Sequence, residues 1–406
     1  MTKKSDAPAI RFKGFSDAWE QREVGDLLIE RSQQAPMSDE YPLMAFIANE
    51  GVAPKGERYD RSALVTDTVN KLYKKTEKGD FIYSSNNLET GSIGLNKYGK
   101  ACISPVYSIF EPTGIADSDF LGRRLVRKDF INAMVKWRQG VIYGQWRIHE
   151  SDFLKIEISV PSVEEQRKIG AYLDQLDNLI TLHQRKFEKL TNVKKSMLEK
   201  MFPQNGSSYP EIRFKGFTDP WEQRKVSDLA EKTYGGGTPT TSNEAYWNGD
   251  IPWIQSSDVV DGKLLGVEPR KWITQDGLNN SAAQLIPGNS IAIITRVGVG
   301  KLAFMPYSYA TSQDFLSLSK LNAEPLFTVY ACYKKLQSEL NAVQGTSIKG
   351  ITKDELLAKN IMVPRYAEQQ QIGAFFKQLD NLITLHQREL EKLQNIKKSM
   401  LEKMFV

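Results

Sequence analysis

The chain has 406 residues, of which 40% are hydrophobic and 25% are charged, with a net charge of +5 and a pI near 8.8. This composition predicts a globular protein with two cores of ordinary size, and the lack of any apolar run of about 18 residues argues against a membrane span and favours a cytoplasmic location. Residues 1–163 carry 23 basic and 22 acidic side chains, and residues 203–363 carry 16 of each. A polyanion would therefore be held by local patches on nearly neutral domains.

The chain begins with a polar segment and an entry motif at 10–24, which recurs at 212–226 with 12 of 15 positions identical. A body of short β-rich runs and glycine-containing turns follows each entry motif, at about 27–160 and 229–363. Two short helical patterns, at 132–138 and 326–340, interrupt the strands. Each body is therefore predicted to be α+β. The two bodies resist alignment with each other beyond a similar order of elements.

Each body is followed by a nearly identical segment, at 175–202 and 378–405, in which only four of 28 positions differ. Apolar residues alternate at spacings of four and three, which predicts helices of about 37 residues, ~55 Å long, that pair as an antiparallel coiled coil with pseudo-twofold symmetry. His183 and Lys194, with their second copies His386 and Lys397, are interpreted as polar residues that fix the register. The predicted helix-pairing residues are Leu176, Ile180, His183, Phe187, Leu190, Leu379, Ile383, His386, Leu390 and Leu393.

The apolar stripe of the first long helix is wider than a two-stranded coiled coil needs, which indicates a second packing partner. The residues of this flank are Leu179, Leu182, Val193 and Leu198, and they are predicted to dock a partner. Ser162 and Glu165 form a capping-box pattern at the start of this helix, of which only Glu368 remains in the second copy. The predicted domains are a first recognition domain at 1–161, a central helix at 162–203, a second recognition domain at 204–364 and a C-terminal helix at 365–406.

Signals for catalysis or metal binding are weak. The segment Ser-Pro-Val-Tyr at 104–107 differs from an adenine methyltransferase signature at Val106, and Gly-Val-Gly-Lys at 298–301 lacks the flanking residues of a phosphate loop. A strand and a tight turn are the favoured interpretations. Three histidines and two isolated cysteines, Cys102 and Cys332, do not have the spacing of a zinc site. We expect no catalytic residue, no metal and two reduced thiols.

Polar loops and lysines supply candidates for DNA binding, because amide, hydroxyl and guanidinium groups can contact base edges and lysines can contact phosphates. Each loop alone is more often an ordinary turn, and the lysines at 71–78 fit a solvated helix face equally well. A further basic cluster lies at 123–128. The candidates are Lys71, Lys74, Lys75, Ser84, Ser85, Asn86, Asn87, Tyr143, Gln145 and Arg147 in the first body, and Ser256, Ser257, Arg296, Thr311, Ser312, Gln313, Gln344, Thr346, Ser347 and Lys349 in the second.

In this order, the motifs resemble those of the specificity subunits of type I restriction–modification systems. The carrying features are Pro-x-x-x-Glu-Gln at 161–166 and 364–369, each followed by Gln-Leu-Asp-Asn-Leu-Ile at 175–180 and 378–383. The second body adds Gly-Gly-Thr-Pro-Thr at 236–240, Tyr-Trp-Asn-Gly-Asp-Ile-Pro-Trp-Ile at 246–254 and Ser-Gln at 312–313. Singly these motifs are weak, but their doubled order covers nearly the whole chain.

The resemblance implies two target-recognition domains, each reading one half of a bipartite, asymmetric double-stranded DNA target, joined by helices that pack antiparallel. It implies a subunit without catalytic activity and without a cofactor of its own. Its partners would be two methyltransferase subunits, which carry S-adenosylmethionine and modify adenine N6, and two subunits that translocate and cleave DNA.

Two other functions are weighed against this one. A self-sufficient nuclease or methyltransferase would need a site that the motifs do not supply, and purified protein with a labelled methyl donor tests it. A coiled-coil adaptor whose bodies bind proteins would have low affinity for any duplex DNA, even with its partner subunits present.

Overall fold

The structure is a computed structural model that describes residues 7–54, 71–142, 145–204, 206–342 and 350–406. The side chains of residues 140–142, 145, 146, 341 and 342 are outside this description. The chain divides into two compact units, Met1–Leu182 with Leu390–Val406, and His183–Glu389. Each unit thus contains one body together with parts of both long helices. Among the described residues, no helix is both long and apolar enough to cross a membrane.

The first body is built of short strands around a four-stranded sheet with the order β2-β10-β7-β8. Smaller sheets are β3-β6-β9 and the pairs β1-β13, β4-β5 and β11-β12. The strands are β1 (Glu20–Glu23), β2 (Leu28–Glu30), β3 (Gln34–Ala35), β4 (Ala45–Ile47), β5 (Gly51–Ala53), β6 (Tyr73–Thr76), β7 (Phe81–Tyr83), β8 (Ile93–Leu95), β9 (Ala101–Ile103), β10 (Ser108–Pro112), β11 (Gln139–Ile142), β12 (Gln145–Arg147) and β13 (Glu157–Val160). The helices are α1 (Val24–Leu27), α2 (Ser118–Arg124), α3 (Lys128–Val135), α4 (Glu150–Leu154) and the long helix α5 (Val163–Lys200).

The second body has a four-stranded sheet with the order β15-β21-β18-β19. A three-stranded sheet, β17-β16-β20, and the pair β14-β22 complete the described pairings. The strands are β14 (Glu222–Lys225), β15 (Ala230–Gly235), β16 (Trp247–Ile254), β17 (Lys271–Ile273), β18 (Ser290–Ile294), β19 (Leu302–Met305), β20 (Ala310–Thr311), β21 (Phe315–Leu321) and β22 (Asn360–Val363). The helices are α6 (Gln275–Asn279), α7 (Pro325–Ala342), α8 (Lys353–Leu357) and the long helix α9 (Tyr366–Lys403).

The four-stranded sheets of the two bodies have the same topology, because corresponding strands follow the same chain order and pair antiparallel in both. Their central strands, β7 and β18, are buried at every residue, which is why both read as continuous apolar runs in the sequence. The smaller sheets differ: β6 pairs with β9 antiparallel, whereas β16 pairs with β20 parallel. The predicted α+β class is confirmed, and the bodies share a central sheet while their other strands pair differently.

Both long helices have 38 residues, in agreement with the prediction. In the first unit, Ile169 and Leu173 of α5 share a core with Met404 and Phe405, which follow α9. In the second unit, Leu198 of α5 and Phe202 share a core with Phe376 of α9. In each unit the first part of one helix packs against the last part of the other, so the pairing is antiparallel.

Each entry motif is fixed to the end of a long helix. Ile10 donates its backbone N–H to the carbonyl of Lys403, and Ile212 donates to the carbonyl of Lys200, at 3.0 and 2.9 Å. Each tryptophan of the motif then packs in an aromatic cluster: Trp19 with Phe120 in the first unit and Trp221 with Phe327 in the second. The repeated sequence therefore forms a repeated frame on which each body is mounted.

Candidate nucleic-acid interface

The frame is held in both units by a buried glutamate at the start of the long helix. Glu165 accepts two hydrogen bonds from Arg11, at 2.9 and 2.7 Å, and Glu368 accepts two from Arg213, at 2.7 and 2.8 Å. Both carboxylates are only 1% exposed, so each depends on its arginine for a counter-charge. Bidentate, charge-assisted hydrogen bonds of this kind are strong. The hydrogen bond to Glu165 raises the pKa of Arg11.

This arrangement corrects the predicted capping box at the start of α5. The hydroxyl of Ser162 accepts the N–H of Glu165 at 3.4 Å, as a cap does. The carboxylate of Glu165 instead bonds Arg11 of the entry motif. The sequence contained the signal for this pair, because the arginine and the glutamate both recur in the second copy.

The glutamine that follows each buried glutamate ties the long helix to a helix of the body. Gln166 accepts the backbone N–H of Asp117 at 3.0 Å, and Gln369 accepts that of Glu324 at 2.8 Å. Asp117 and Glu324 in turn accept the N–H of a residue three positions later, in α2 and α7 respectively. These bonds fix each body to its long helix, and they account for the Glu-Gln pair of both motifs.

A glycine one turn further along allows the close approach. A Cβ on Gly373 would lie 2.9 Å from both the backbone nitrogen of Phe327 and the Cβ of Leu326. A Cβ on Gly170 would lie 3.2 Å from the backbone nitrogen of Phe120. Only a residue without a side chain fits at this contact without a shift of the neighbouring helix.

The polar seam residues form ion pairs within each unit. Lys194 lies 2.5 Å from Asp380 and donates to the carbonyl of Gly262 at 3.0 Å, and both charged side chains are nearly buried. In the first unit, the second copy of the lysine, Lys397, lies 2.5 Å from Asp177. The structure thus identifies an ion-pair partner for each of the two lysines, and their role in fixing the register stays a prediction.

Four of the predicted helix-pairing leucines belong to cores that contain residues of both long helices. Leu176 and Leu379 are buried in the cores, while Leu190 and Leu393 pack against them. The half-buried positions are Ile180, Phe187, Ile383 and Leu390. The two histidines face each other, with the Nδ1 atoms of His183 and His386 3.1 Å apart. At that distance one imidazole must donate and the other must accept.

We expect the second unit to lose stability as the pH falls from about 7.5 to 5.5. Burial, the charge of His183 and the charge of Lys186 lower the pKa of His386 below 6.5. As the pH falls, the unfolded chain therefore binds this proton at a higher pH than the folded chain does. The stability contributed by neutral His386 is complete above pH 6.5 and is lost as the pH falls toward the lower pKa of the folded state. Urea unfolding at several pH values measures the effect. A His183→Gln, His386→Gln double variant should have a flatter profile over the same range, and an equally steep profile would contradict this account.

In the first body, the structure brings the 84–87 loop beside Arg147. Ser84 is buried, whereas Ser85 accepts the backbone N–H of Ile148 at 3.1 Å. Asn86 is half-buried, and Asn87 and Arg147 are exposed. The loop thus presents the amide of Asn87 and the guanidinium group of Arg147 at the surface, while Ser84 and Ser85 hold the loop.

The carboxylate of Glu150 lies close enough to both Arg147 and Lys74 of β6 for their charges to affect its pKa. Burial raises the pKa of Glu150, but its own backbone N–H and the hydroxyl of Ser108 lower it by hydrogen bonding. The charges of Lys74 and Arg147 lower that pKa further, and the net shift is downward. A carboxylate that stays ionised thus lies in the field of both cations.

The other lysine candidates lie on or next to a strand, so the helix-face alternative for 71–78 is wrong. The Lys75 ammonium lies 4.2 Å from the ring centroid of Tyr41, and that of Lys71 lies 5.8 Å from the ring of Tyr73. Lys71 is exposed, and Lys74 and Lys75 are half-buried. Aromatic contacts of this kind restrain a cation without neutralising it.

The basic cluster at 123–128 belongs to the frame instead. Arg123 bonds Asp174 and Asp177 of α5 at 2.8 and 2.9 Å, and Arg124 pairs with Asp129. These guanidinium groups are already neutralised by carboxylates, so they are poor candidates for phosphate contacts.

In the second body, three candidate segments meet at one end of the central sheet. The backbone N–H of Ser312 donates to Ile254, next to the 255–258 turn, and that of Thr295 donates to Asp314, at 2.9 and 2.8 Å. Ser257, Arg296 and Gln313 are exposed and Ser256 is half-buried, whereas Thr311 and Ser312 are buried. The predicted groups are brought together, but the two buried hydroxyls lie inside the fold.

Several candidates lie outside the described residues: Tyr143, the side chain of Gln145, and Gln344, Thr346, Ser347 and Lys349. Within the described ranges, no group of three or more His, Cys, Asp or Glu side chains is placed to hold a metal ion. Cys102 and Cys332 are free and buried, as expected for structural thiols. Burial raises the pKa of Cys332 to about 12.

Of the four residues predicted to dock a partner, two are exposed and two pack inside the folded chain. Leu179 and Leu182 are 42% and 45% exposed, as a docking residue must be. Leu198, by contrast, is buried in the core of the second unit, and Val193 packs against that core. The prediction is wrong for Leu198 and Val193, because both pack against the core of the second body. The second-copy leucines, Leu382 and Leu385, are 44% and 51% exposed, and the repeat itself was the signal for them.

Sequence and structure comparisons both match this chain to specificity subunits of type I restriction systems. The sequence model described as "Type I restriction modification DNA specificity domain" matches residues 17–192 and 218–395. The chain is 28% identical over 193 residues to the type I restriction enzyme MjaIX specificity subunit of Methanocaldococcus jannaschii, covering 46% of this chain and 44% of that protein. It is 24% identical over 408 residues to the MjaVIII specificity subunit of the same organism, covering 94% of this chain and 91% of that one.

A solved structure has the same fold. The S subunit of a type I restriction–modification system from M. genitalium matches with a TM-score of 0.62 at 12% identity, over 98% of this chain and 99% of that one. At this identity the likeness concerns the fold alone. The match to the MjaIX subunit spans less than half of that protein, whereas the M. genitalium structure is matched over nearly its full length.

Proposed function

This chain belongs to the type I restriction modification DNA specificity family, and we propose that it is the subunit that selects the DNA target of such a complex. Each body reads one tract of duplex DNA, and the target is bipartite and asymmetric. The frame docks methyltransferase subunits, two per chain, and two restriction subunits join the assembly. The chain binds no cofactor and performs no catalysis, while S-adenosylmethionine is held by the methyltransferase.

The observation that carries the proposal is the contrast between the frame and the bodies. The two bodies have central sheets of one topology. The Arg-Glu pairs and the glutamine contacts of the frame are the same in both units. The loops at the sheet ends carry different polar groups, with Asn87 and Arg147 exposed in one body and Arg296 and Gln313 in the other. Different exposed donors and acceptors on equivalent scaffolds suit the reading of two different base sequences.

The phosphate backbone would supply affinity without sequence preference, and the loops would supply preference. Lys71, just before β6, and Lys75, on β6, are suited to the former role, since each is cationic and lies against an aromatic ring. Both bodies are nearly neutral overall, so tight binding would depend on the assembled complex.

Mapping of methylated adenines in DNA from cells that express this chain with its methyltransferase tests the proposal. We expect modification at one motif made of two different defined tracts separated by an unspecified spacer. Cells that express the methyltransferase alone are the control and should lack this motif. A single contiguous tract, or a palindromic motif, would contradict two different readers. Modification that is unchanged without this chain would reject the role altogether.

A further inference from the structure

A rigid junction lies in the second body, where the 236–240 loop meets the segment after β20. Gly237 donates its N–H to the carbonyl of Thr311 at 2.8 Å, and the indole N–H of Trp253 donates to the carbonyl of Gly237 at 2.9 Å. A Cβ on Gly236 would lie 1.9 Å from the carbonyl oxygen of Ser312, so the loop can lie this close only with glycine there. The backbone on both sides of the junction is therefore fixed.

The side chains of this junction point in different directions. Thr311 and Ser312 are buried, and the hydroxyl of Ser312 donates to Asp314 at 3.3 Å. Gln313, between Ser312 and Asp314, is exposed. The hydroxyl of Thr238, from the facing loop, donates to Oε1 of Gln313 at 2.7 Å. Gln313 is thus an exposed amide whose orientation is set by a partner on a fixed backbone.

The hydrogen bond from Thr238 defines what Gln313 can still bind. An amide oxygen has two lone pairs, and Thr238 occupies one of them. The second lone pair of Oε1 and the N–H groups of Nε2 remain for a ligand. One acceptor beside one donor is the complement of the major-groove edge of adenine, which offers N6–H and N7. Guanine offers two acceptors at that edge and leaves the Oε1 lone pair unmatched.

We propose that Gln313 reads an adenine–thymine pair in the half-site of the second body and that Thr238 positions its amide. The inference rests on the proposed function and adds to it a residue, a base pair and a positioning contact. Thr238 itself needs no contact with DNA. Its removal should weaken discrimination without changing which base is preferred, whereas removal of the Gln313 amide should abolish the preference.

The test uses the complex of this chain with its methyltransferase, bound to labelled duplexes that carry the mapped motif. Each adenine–thymine pair of the half-site is exchanged for guanine–cytosine in turn. For the wild type, one exchange should weaken binding by about 10- to 100-fold. With Gln313→Ala that penalty should vanish, while the penalties at the other positions remain. Thr238→Val should reduce the penalty, and Thr238→Ser should restore it.

Gln223→Ala is the matched control, because Gln223 is also exposed but lies on β14 of the frame. Its penalties should equal those of the wild type. If the wild-type complex is specific and Gln313→Ala keeps every penalty, the inference is wrong and the proposed function stands. If the wild-type complex prefers no sequence, the proposed function fails together with the inference. A loss of all binding by Gln313→Ala with unchanged thermal unfolding would also contradict a role at one base pair.

Discussion

Lys194→Met should destabilise the second unit by about 3–5 kcal/mol, the usual cost of removing one partner of a buried ion pair. The side chains of Lys194 and Asp380 are 10% and 13% exposed. Without the lysine, the carboxylate keeps the hydroxyl of Tyr330, at 2.6 Å, but loses its counter-charge. The carbonyl of Gly262 also loses its donor. Urea unfolding followed by tryptophan fluorescence measures the loss.

The first unit supplies the matched control. The side chains of Lys397 and Asp177 are 34% and 31% exposed, and Asp177 keeps a hydrogen bond from Arg123 at 2.9 Å. Lys397→Met should therefore cost about 1 kcal/mol or less, as for a solvated pair. A Lys194→Met, Asp380→Leu double variant should recover much of the stability, because no unpaired charge stays buried. Equal losses for Lys194→Met and Lys397→Met would show that burial does not decide the strength of these pairs.

The sequence was sufficient to predict the lysines of the seam but not their partners. The four-three spacing placed Lys194 among apolar residues, so its burial and its need for an anion could be anticipated. Asp380 lies one position beyond the seam residue Leu379. Which of several acidic residues reaches the lysine depends on the antiparallel register and on the body packed against the helices, and neither is encoded locally.

The bodies show the same division between local and non-local information. Continuous apolar runs predicted β7 and β18 because those strands are buried on both faces. Each of these strands has one neighbour next along the chain, β8 or β19, and another, β10 or β21, that is separated from it by intervening strands. The strand order could therefore not be derived from such runs. The polar loops were recognised, but not which hydroxyls are buried. Thr311 and Ser312 read like any turn, but in the folded chain they are buried, and Gly236 packs against the hydroxyl of Thr311 and the carbonyl of Ser312.

The wide apolar stripe predicts a second contact, which Leu198 makes within the folded chain, while docking of a partner by Leu179 and Leu182 stays a prediction. Leu198 lies among residues of the second body, whose position relative to α5 no periodicity reveals. Leu179 and Leu182 stay exposed at the same kind of spacing. An apolar stripe therefore predicts that a helix face makes a contact but not with what. Exposure in the folded chain distinguishes the residues buried in a core from those left free for a partner.

The exposed leucines of the frame lead to the second large expected effect. A Leu382→Asp, Leu385→Asp double variant should weaken methyltransferase binding by about 100-fold or more, since each buried leucine contributes about 1.5–3 kcal/mol and each aspartate adds a desolvation cost. The fold should be unaffected, because these side chains are 44% and 51% exposed. Size-exclusion chromatography of the mixed subunits, with thermal unfolding of the variant alone, measures both statements.

Leu285→Asp is the control for a charge at an equally exposed leucine, because Leu285 is 46% exposed and lies outside both long helices. Its complex should form normally. The Leu179→Asp, Leu182→Asp variant tests the first copy, and if each pair of leucines serves one methyltransferase, either double variant should leave a complex with one methyltransferase subunit and the quadruple variant should leave none. Normal assembly of the quadruple variant would remove these leucines from the interface. Loss of both subunits from a single double variant would instead contradict the assignment of one methyltransferase to each pair of leucines.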